Sequence, residues 1–128
     1  MIKIPSNTHN ICLIPSYIEE VFRKYHLDDN YFGDVLTSVT EAVNNAIIHG
    51  NREDENKYVY LHLKRTKKCI IFRISDEGEG FDPNSVPDPT LDDNIECCGG
   101  RGVFLIHKLS HGVNYLNNGT TVEIVFNV

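Results

Sequence analysis

The hydrophobic positions of the chain recur with a period of about 3.6 residues in some segments and of two residues in others, which predicts both helices and strands. Pro15 begins or kinks the first helical segment, and Gly50 lies near the end of the second. The two-residue link Lys67-Lys68 joins two strand-like segments and predicts a hairpin. In chain order, the predicted elements are a strand at 1–5, a helix within 7–25, a helix at about 29–51, strands at 57–66 and 69–76, a helix at 100–111, and strands at 113–116 and 120–128.

A long segment without periodicity, from Glu77 to Cys98, separates the first hairpin from the last helix. It is rich in proline and acidic residues, and at more than about 20 residues it exceeds an ordinary connection, which indicates a functional lid or disorder. The order of elements contains no internal repeat and predicts one domain over residues 1–128. The predicted class is α+β: a two-layer α/β sandwich with helices on one face of a mostly antiparallel sheet.

The charge of the chain narrows the classes of partner. The 128 residues carry a formal net charge of −6, which argues against a surface that binds nucleic-acid phosphates or anionic lipid. No apolar run approaches the roughly 20 residues that span a bilayer, and the N-terminal residues lack the apolar core of a secretion signal. We therefore expect a cytoplasmic protein with no nucleic-acid or membrane partner. Small anionic ligands, held by backbone amides and a metal ion, are compatible with this charge.

The four cysteines give no disulfide pattern. Cys12 and Cys69 stand among apolar residues, which predicts that both are buried as small hydrophobic side chains. Cys97 and Cys98 are adjacent, a poor geometry for a structural disulfide between them, so we expect reduced thiols.

The helix at 29–51 combines a regular apolar stripe with an unusual polar face. At about 100° per residue, Glu41 and Asn45 are neighbours one turn apart and point away from the stripe. Such a face can simply be solvated, but adjacent asparagines are poor helix formers, and Ile48 lies in the middle of it. A carboxylate and an amide oxygen one turn apart also suit a ligand or a hard cation such as Mg²⁺. The stripe consists of Phe32, Val35, Leu36, Val39, Val43, Ala46 and Ile47.

The second predicted hairpin strand ends in an aspartate followed by alternate glycines. Asp76 is placed to accept hydrogen bonds, for example from an exocyclic amine such as that of adenine. Gly78 and Gly80 remove side chains where a flat ligand would lie. An ordinary turn explains the same short pattern, so the stretch alone leaves both interpretations open.

A second glycine-rich stretch opens the last predicted helix. Gly100 and Gly102 permit close approach of a phosphate to the free amides of the helix start. Arg101 between them could add a charge-assisted contact. A flexible hinge is the alternative interpretation. The Walker pattern and the third glycine of a dinucleotide-binding motif are both missing, so any nucleotide site here is of another kind.

Taken in this order, the three patterns resemble the GHKL superfamily of ATP-binding domains, which includes gyrase, MutL, histidine kinases and the large heat-shock chaperone. The resemblance covers nearly the whole chain and is closest to bacterial anti-sigma-factor serine kinases. The matching elements are the helical motif Glu41 to Asn51, the first glycine motif Asp76-x-Gly78-x-Gly80, the second glycine motif beginning at Gly100-Arg101-Gly102, and Gly119-Thr120-Thr121.

The resemblance implies a role for each matched residue. Asn45 would bind the Mg²⁺ that bridges the ATP phosphates, and Glu41 would be the general base that takes the proton from an incoming serine hydroxyl. Asp76 would bond the adenine amine, with support from Thr120. Positioning, a metal ion and an oriented nucleophile are what phosphoryl transfer requires.

The glycines and the long irregular segment complete the implied site. Gly78, Gly80, Gly100 and Gly102 would shape the pocket, and residues 81–99 would form its lid. No basic residue directly precedes Gly100, so Arg101 is the only nearby cation. The implied partners are an anti-sigma-factor antagonist that accepts phosphate on serine, a sigma factor, and a second copy of the chain bound through the first strand and helix.

Three other functions stay open on the sequence alone. The chain could be an ATP-dependent binding switch with little catalysis, although a base at Glu41 favours the kinase. It could be the stand-alone ATP domain of a sensor histidine kinase, which a missing phospho-acceptor helix ahead of the fold disfavours. A zinc module built from Cys97, Cys98, His107 and His111 is the third, and adjacent cysteines are not the usual ligand spacing.

Overall fold

Within residues 1–78 and 100–128, the part of the chain that the computed structural model describes, five strands form an antiparallel sheet. The side chains of residues 100–104 are outside the description. The sheet has the order β1-β2-β3-β5-β4. The strands are β1 (Ile2–Pro5), β2 (Tyr58–Arg65), β3 (Cys69–Ser75), β4 (Gly112–Leu116) and β5 (Thr121–Asn127).

Three helices pack on one side of this sheet, which confirms the predicted α+β class. They are α1 (Ile14–Tyr25), α2 (Phe32–Asn45) and α3 (Gly100–Leu109). Alternate residues of the strands point toward the helices, as the two-residue period requires. In the register of β3 with β5, Phe72 lies opposite Ile124 and Ile70 opposite Phe126, and all four side chains are buried. These positions form the centre of the core.

The apolar stripe of the second helix faces the core as predicted. Val35, Val39, Val43 and Ile47 are each fully buried, and Phe32 and Leu36 pack at the edge of the same cluster. The stripe therefore holds α2 against the sheet and leaves the side that carries Glu41 and Asn45 for another role.

Two details of the sequence interpretation were wrong. The second helix does not run regularly to Asn51, because α2 ends at Asn45 and a π-helical turn, Ala46–Gly50, follows. The Asn51 N–H donates to the carbonyl of Ala46, five residues back, at 2.8 Å. Cys12 is exposed rather than buried, because it lies in a short 3₁₀ turn, Thr8–Leu13, that buries none of its residues. Cys69, at the start of β3, is only half-buried.

The remaining predicted boundaries agree to within a few residues. Pro15 lies in the first turn of α1, where its missing N–H is tolerated. No helix in the described part of the chain is long and apolar enough to cross a membrane.

Candidate functional site

The π-helical turn after α2 and the end of β3 approach each other through glycines. A Cβ atom added to Gly50 would lie 2.4 Å from the carboxyl carbon of Asp76. A Cβ atom added to Gly78 would lie 2.0 Å from the carbonyl oxygen of Gly50. Neither distance is tolerated by real atoms, so the absence of side chains at both residues is what allows the aspartate to lie against the helix end.

Asp76 is held at this junction by backbone hydrogen bonds. Its own N–H donates to the carbonyl of Thr120 at 2.8 Å, and the Gly78 N–H donates to its Oδ1 at 2.8 Å. Burial raises the pKa of the Asp76 carboxyl, while the Gly78 N–H and the nearby Lys57 charge act in the opposite direction. A carboxylate has about four acceptor positions, so Asp76 can accept further bonds from a ligand donor.

The loop between β4 and β5 contributes the backbone of Thr120 to this junction. The Thr120 hydroxyl donates to the carbonyl of Asn117 at 2.8 Å, so its side chain closes the turn. Its own carbonyl accepts the hydrogen bond from the Asp76 N–H. The next residue, Thr121, is 4% exposed and its hydroxyl lies 3.0 Å from that of Ser75. This pair ties β3 to β5 directly beside the aspartate.

Glu41 and Asn45 lie one turn apart on the last part of α2, as predicted. Both are half-buried. One turn earlier on the same helix, Ser38 is fully buried, and its hydroxyl is a buried side-chain polar atom without a partner in the described part of the chain. The helix therefore presents an unusual series of polar side chains beside its apolar stripe, in agreement with the view that this is not an ordinary solvated face.

The second glycine motif opens α3, which packs against α2. Gly100 is the first residue of α3, and Arg101 and Gly102 follow in its first turn. The contacts of the Arg101 side chain, together with Gly80 and the predicted lid 81–99, lie outside the described residues. The helix that the second glycine motif opens therefore packs on the helix that carries Glu41 and Asn45.

Asn51 is a site residue that sequence reasoning missed. It is 1% exposed, and its Nδ2 donates to Ser6 Oγ at 2.8 Å and to the carbonyl of Tyr58 at 3.0 Å. Its Oδ1 accepts from the N–H of Glu77 at 2.7 Å. Asn51 therefore connects the end of α2 with β1, β2 and the residue next to Asp76.

The π-helical turn explains why Asn51 is buried although a regular helix would expose it. Regular α-helix geometry would place Asn51 at about −80° from Glu41, beside Asn44 on the side away from the core. A π turn inserts an extra residue, which rotates the later residues back by roughly 100° and brings Asn51 toward the apolar centre of the stripe. Such π turns occur often at functional sites. The sequence signal that could have pointed to Asn51 was the run of polar residues at the end of the predicted helix.

A cleft of about 360 Å³ lies beside the glycine junction. Three of its lining residues can carry positive charge: His49, Arg52 and Lys57. Arg52 and the following Glu53 both have left-handed backbone conformations, with φ values of 53° and 57°. The complete lining is His49, Gly50, Asn51, Arg52, Asp54, Lys57 and Gly78.

The two histidines of the zinc alternative already have neighbours in the fold. The Nδ1 atom of His111 accepts from the N–H of Asn127 at 3.0 Å. The ring of His107 lies beside that of Tyr115, with centroids 6.0 Å apart. No group of three or more His, Cys, Asp or Glu side chains that could hold a metal ion occurs among the described residues, and Cys97 and Cys98 are not among them.

The fold and the glycine junction together define a protein class, the GHKL ATP-binding fold. An antiparallel sheet covered by helices on one side, an aspartate at a strand end against a helix terminus, and a glycine-opened helix packed on that helix are its parts. The chain belongs to the histidine kinase-like ATPase domain family, which it matches over residues 4–126. ATP is the ligand that this family implies.

Individual relatives agree with this assignment. The chain is 29% identical to the serine-protein kinase RsbW of Staphylococcus aureus strain JH9, over 95% of this chain and 82% of that protein. The corresponding protein of strain bovine RF122 gives the same identity and the same coverage. Among solved structures, the histidine kinase domain of the Erythrobacter litoralis EL346 blue-light activated histidine kinase superposes with a TM-score of 0.60 at 19% identity. That match covers 97% of this chain and 61% of the other, so this chain spans about three fifths of that structure.

Proposed function

We propose that this chain is a Mg·ATP-dependent protein serine kinase of the anti-sigma-factor type. It transfers the γ-phosphate of ATP to a serine of an antagonist protein, and it regulates a sigma factor by binding. The observation that carries the proposal is that helix α2 bears the Glu41–Asn45 pair and that the π-helical turn directly after it, Ala46–Gly50, packs against Asp76 through Gly50. The proposed general base Glu41, the proposed metal ligand Asn45 and the carboxylate of Asp76 that would bind adenine are thereby connected by α2 and the turn that follows it.

In this proposal each residue acts through the atoms that its position offers. Asp76 accepts a hydrogen bond from the adenine amine, and Gly78 keeps the space beside it free of a side chain. The Asn45 amide oxygen fits Mg²⁺, which needs only one or two protein oxygens when phosphates supply the others. When bound, Mg²⁺ neutralises charge on the transferred phosphoryl group.

Glu41 supplies the proton acceptor of the proposed reaction. Its carboxylate takes the proton from the serine hydroxyl of the antagonist as that oxygen attacks the γ-phosphorus. The new bond joins the serine oxygen to phosphorus, the bond from phosphorus to the β-γ bridging oxygen breaks, and ADP leaves. Similarity to serine-protein kinase RsbW supports serine as the acceptor, and we further propose that the chain works as a homodimer in the cytoplasm.

The experiment that tests the kinase proposal is a transfer assay with γ-labelled ATP, Mg²⁺ and an anti-sigma-factor antagonist protein from the same genome. We expect label on a serine of the antagonist. Glu41→Gln should lower the transfer rate about 100-fold or more, since general base catalysis typically contributes that much, while ATP affinity changes less than about threefold. Asp34→Asn, at an exposed position in the first turn of α2, is the matched control and should transfer normally.

A second candidate, an ATP-dependent binding switch without catalysis, is favoured by one feature of the sequence. The residues before Gly100 are Cys97, Cys98 and Gly99, so no basic side chain precedes the second glycine motif. If the parent chain binds ATP and the antagonist but transfers no label, the switch replaces the kinase. Unchanged transfer in Glu41→Gln would remove Glu41 as the base.

A further inference from the structure

We propose that Asn51 is a positioning residue that sets the base preference of the nucleotide site. It acts through the backbone of Glu77 and Gly78 on the carboxylate of Asp76. The inference rests on the proposed function, because it takes Asp76 as the group that binds the base. It concerns a residue that makes no direct contact with the nucleotide in this proposal.

The first step is that hydrogen bonds within the fold hold the Asn51 side chain in place. Its side chain makes three hydrogen bonds, two as donor, to Ser6 and Tyr58, and one as acceptor, from Glu77. A further bond closes the ring, because the Tyr58 N–H donates to Oε2 of Glu77 at 2.5 Å. A primary amide is the natural side chain here, since it offers two donors and an acceptor from one planar group.

The second step is that the bond to Glu77 controls where Asp76 lies. Glu77 is flanked by Asp76 and by Gly78, whose N–H fixes Oδ1 of Asp76. On the other side of the same junction, Gly50 packs closely against Asp76 and Gly78. Asn51 follows Gly50 directly in the chain. Asn51 thus holds the strand end at a fixed distance from the helix end.

The third step is the cost of losing this bond. Removing the Asn51 side chain leaves the part-buried Glu77 N–H without its acceptor and opens a small cavity, and a polar group left unpaired away from water destabilises the native arrangement. The strand end can recover part of that cost by moving toward another acceptor. Any such movement carries the Asp76 carboxylate away from the position that an adenine amine requires.

A base-exchange titration tests the inference. Inosine triphosphate carries a carbonyl where ATP carries the exocyclic amine, so the ratio of the ATP and inosine triphosphate dissociation constants reports the Asp76 contact. A hydrogen bond to a charged group typically contributes about 1.5–3 kcal/mol, so the parent chain should prefer ATP by roughly 10-fold or more. Asn51→Ala should reduce this preference to less than about threefold, mainly by raising the dissociation constant of ATP.

This ratio separates positioning from a merely structural role. Partial unfolding lowers the apparent affinity for both nucleotides by the same factor, so the ratio of the two dissociation constants does not change when only stability is lost. Asn10→Ala is the matched control, because Asn10 also donates its Nδ2 to a backbone carbonyl, that of Pro5, at 2.8 Å, and it should keep the parent ratio. In an Asp76→Asn background, adding Asn51→Ala should leave the ratio unchanged.

The outcomes distinguish this inference from the proposed function. If the parent prefers ATP and Asn51→Ala prefers it equally, the positioning role is wrong while the ATP site stands. If the parent binds neither nucleotide, the proposed function fails first, and the inference fails with it. Should Asn51→Ala not fold, Asn51→Leu takes its place. Leucine has a similar size but offers no acceptor to the Glu77 N–H, so it should show the same reduced preference; the full parental preference would contradict the inference.

Discussion

At the scale of single residues, the carboxylate that we propose to bind adenine, Asp76, lies where ionisation lowers the stability of the fold. The carboxylate is half-buried against Gly50, and burial raises its pKa, although Gly78 and Lys57 partly oppose the shift. A group with perturbed ionisation at a glycine-lined junction is a typical functional residue. Sequence reasoning found Asp76 because carboxylates before alternate glycines form a local pattern, whereas Asn51 was missed because its partners are distant in the chain.

The raised pKa of Asp76 predicts how Asp76→Asn changes stability with pH. Above the unfolded value of about 3.8 the unfolded chain ionises this group more readily than the folded chain, so ionisation favours unfolding. Asp76→Asn keeps an oxygen for the Gly78 N–H and should therefore be more stable than the parent at pH 7. The difference should shrink as the pH falls toward 3.8, and urea unfolding at several pH values measures it.

The control for this prediction is Asp29→Asn, an equal change at an exposed position. It should alter stability little at any pH in the same range. A loss of stability in Asp76→Asn at pH 7 would show that the carboxylate is stabilising in the folded chain, against the direction of its pKa shift.

At the scale of elements, the sequence predicted the helices and strands well but not how α2 ends. The apolar stripe fixed which side of α2 faces the sheet, because that pattern is local and regular. The π turn at Ala46–Gly50 could not be predicted from it, because a local pattern carries no information on the packing of Gly50 against Asp76, a strand-end residue 26 positions later. The junction is therefore a product of tertiary packing.

Glycine substitutions test the junction between α2 and β3. Gly78→Ala would place a methyl group 2.0 Å from a backbone oxygen, and Gly50→Ala would place one 2.4 Å from the Asp76 carboxylate. We expect each to lower the free energy of unfolding by about 1–3 kcal/mol or more. Gly78→Ala should cost more, since backbone yields less readily than a side chain. Urea unfolding of the variants provides the measurement.

Gly33→Ala, at a position of α2 away from the junction, is the matched control. Gly33 is exposed in the first turn of α2, and a Cβ atom there would meet nothing within 4 Å. Alanine is favoured over glycine in helices by about 0.5–1 kcal/mol, so this variant should be more stable than the parent. Equal effects of alanine at Gly33, Gly50 and Gly78 would contradict the close approach.

At the scale of the whole molecule, the fold class followed from the sequence but the strand order did not. The α+β class and the antiparallel hairpins were predicted from periodicity and turn residues, which are local signals. The order β1-β2-β3-β5-β4 inserts the last strand between β3 and β4, a pairing over long sequence distances that periodicity does not encode. That insertion brings Thr120 to Asp76, so the site depends on it.

The central claim is that one ATP site joins α2, through Asn45 and a magnesium ion, to the strand end at Asp76. Calorimetric titration of ATP into the parent chain, Asn45→Ala and Asn44→Ala, each with and without Mg²⁺, tests it most directly. Asn44 is the adjacent amide on the same helix, with no role in the proposed site, so it is the matched control. We predict that Mg²⁺ strengthens ATP binding about 10-fold or more in the parent and in Asn44→Ala, which corresponds to about 1.4 kcal/mol or more, and that Asn45→Ala loses most of this gain. An equal magnesium-dependent gain in all three proteins would contradict the claim.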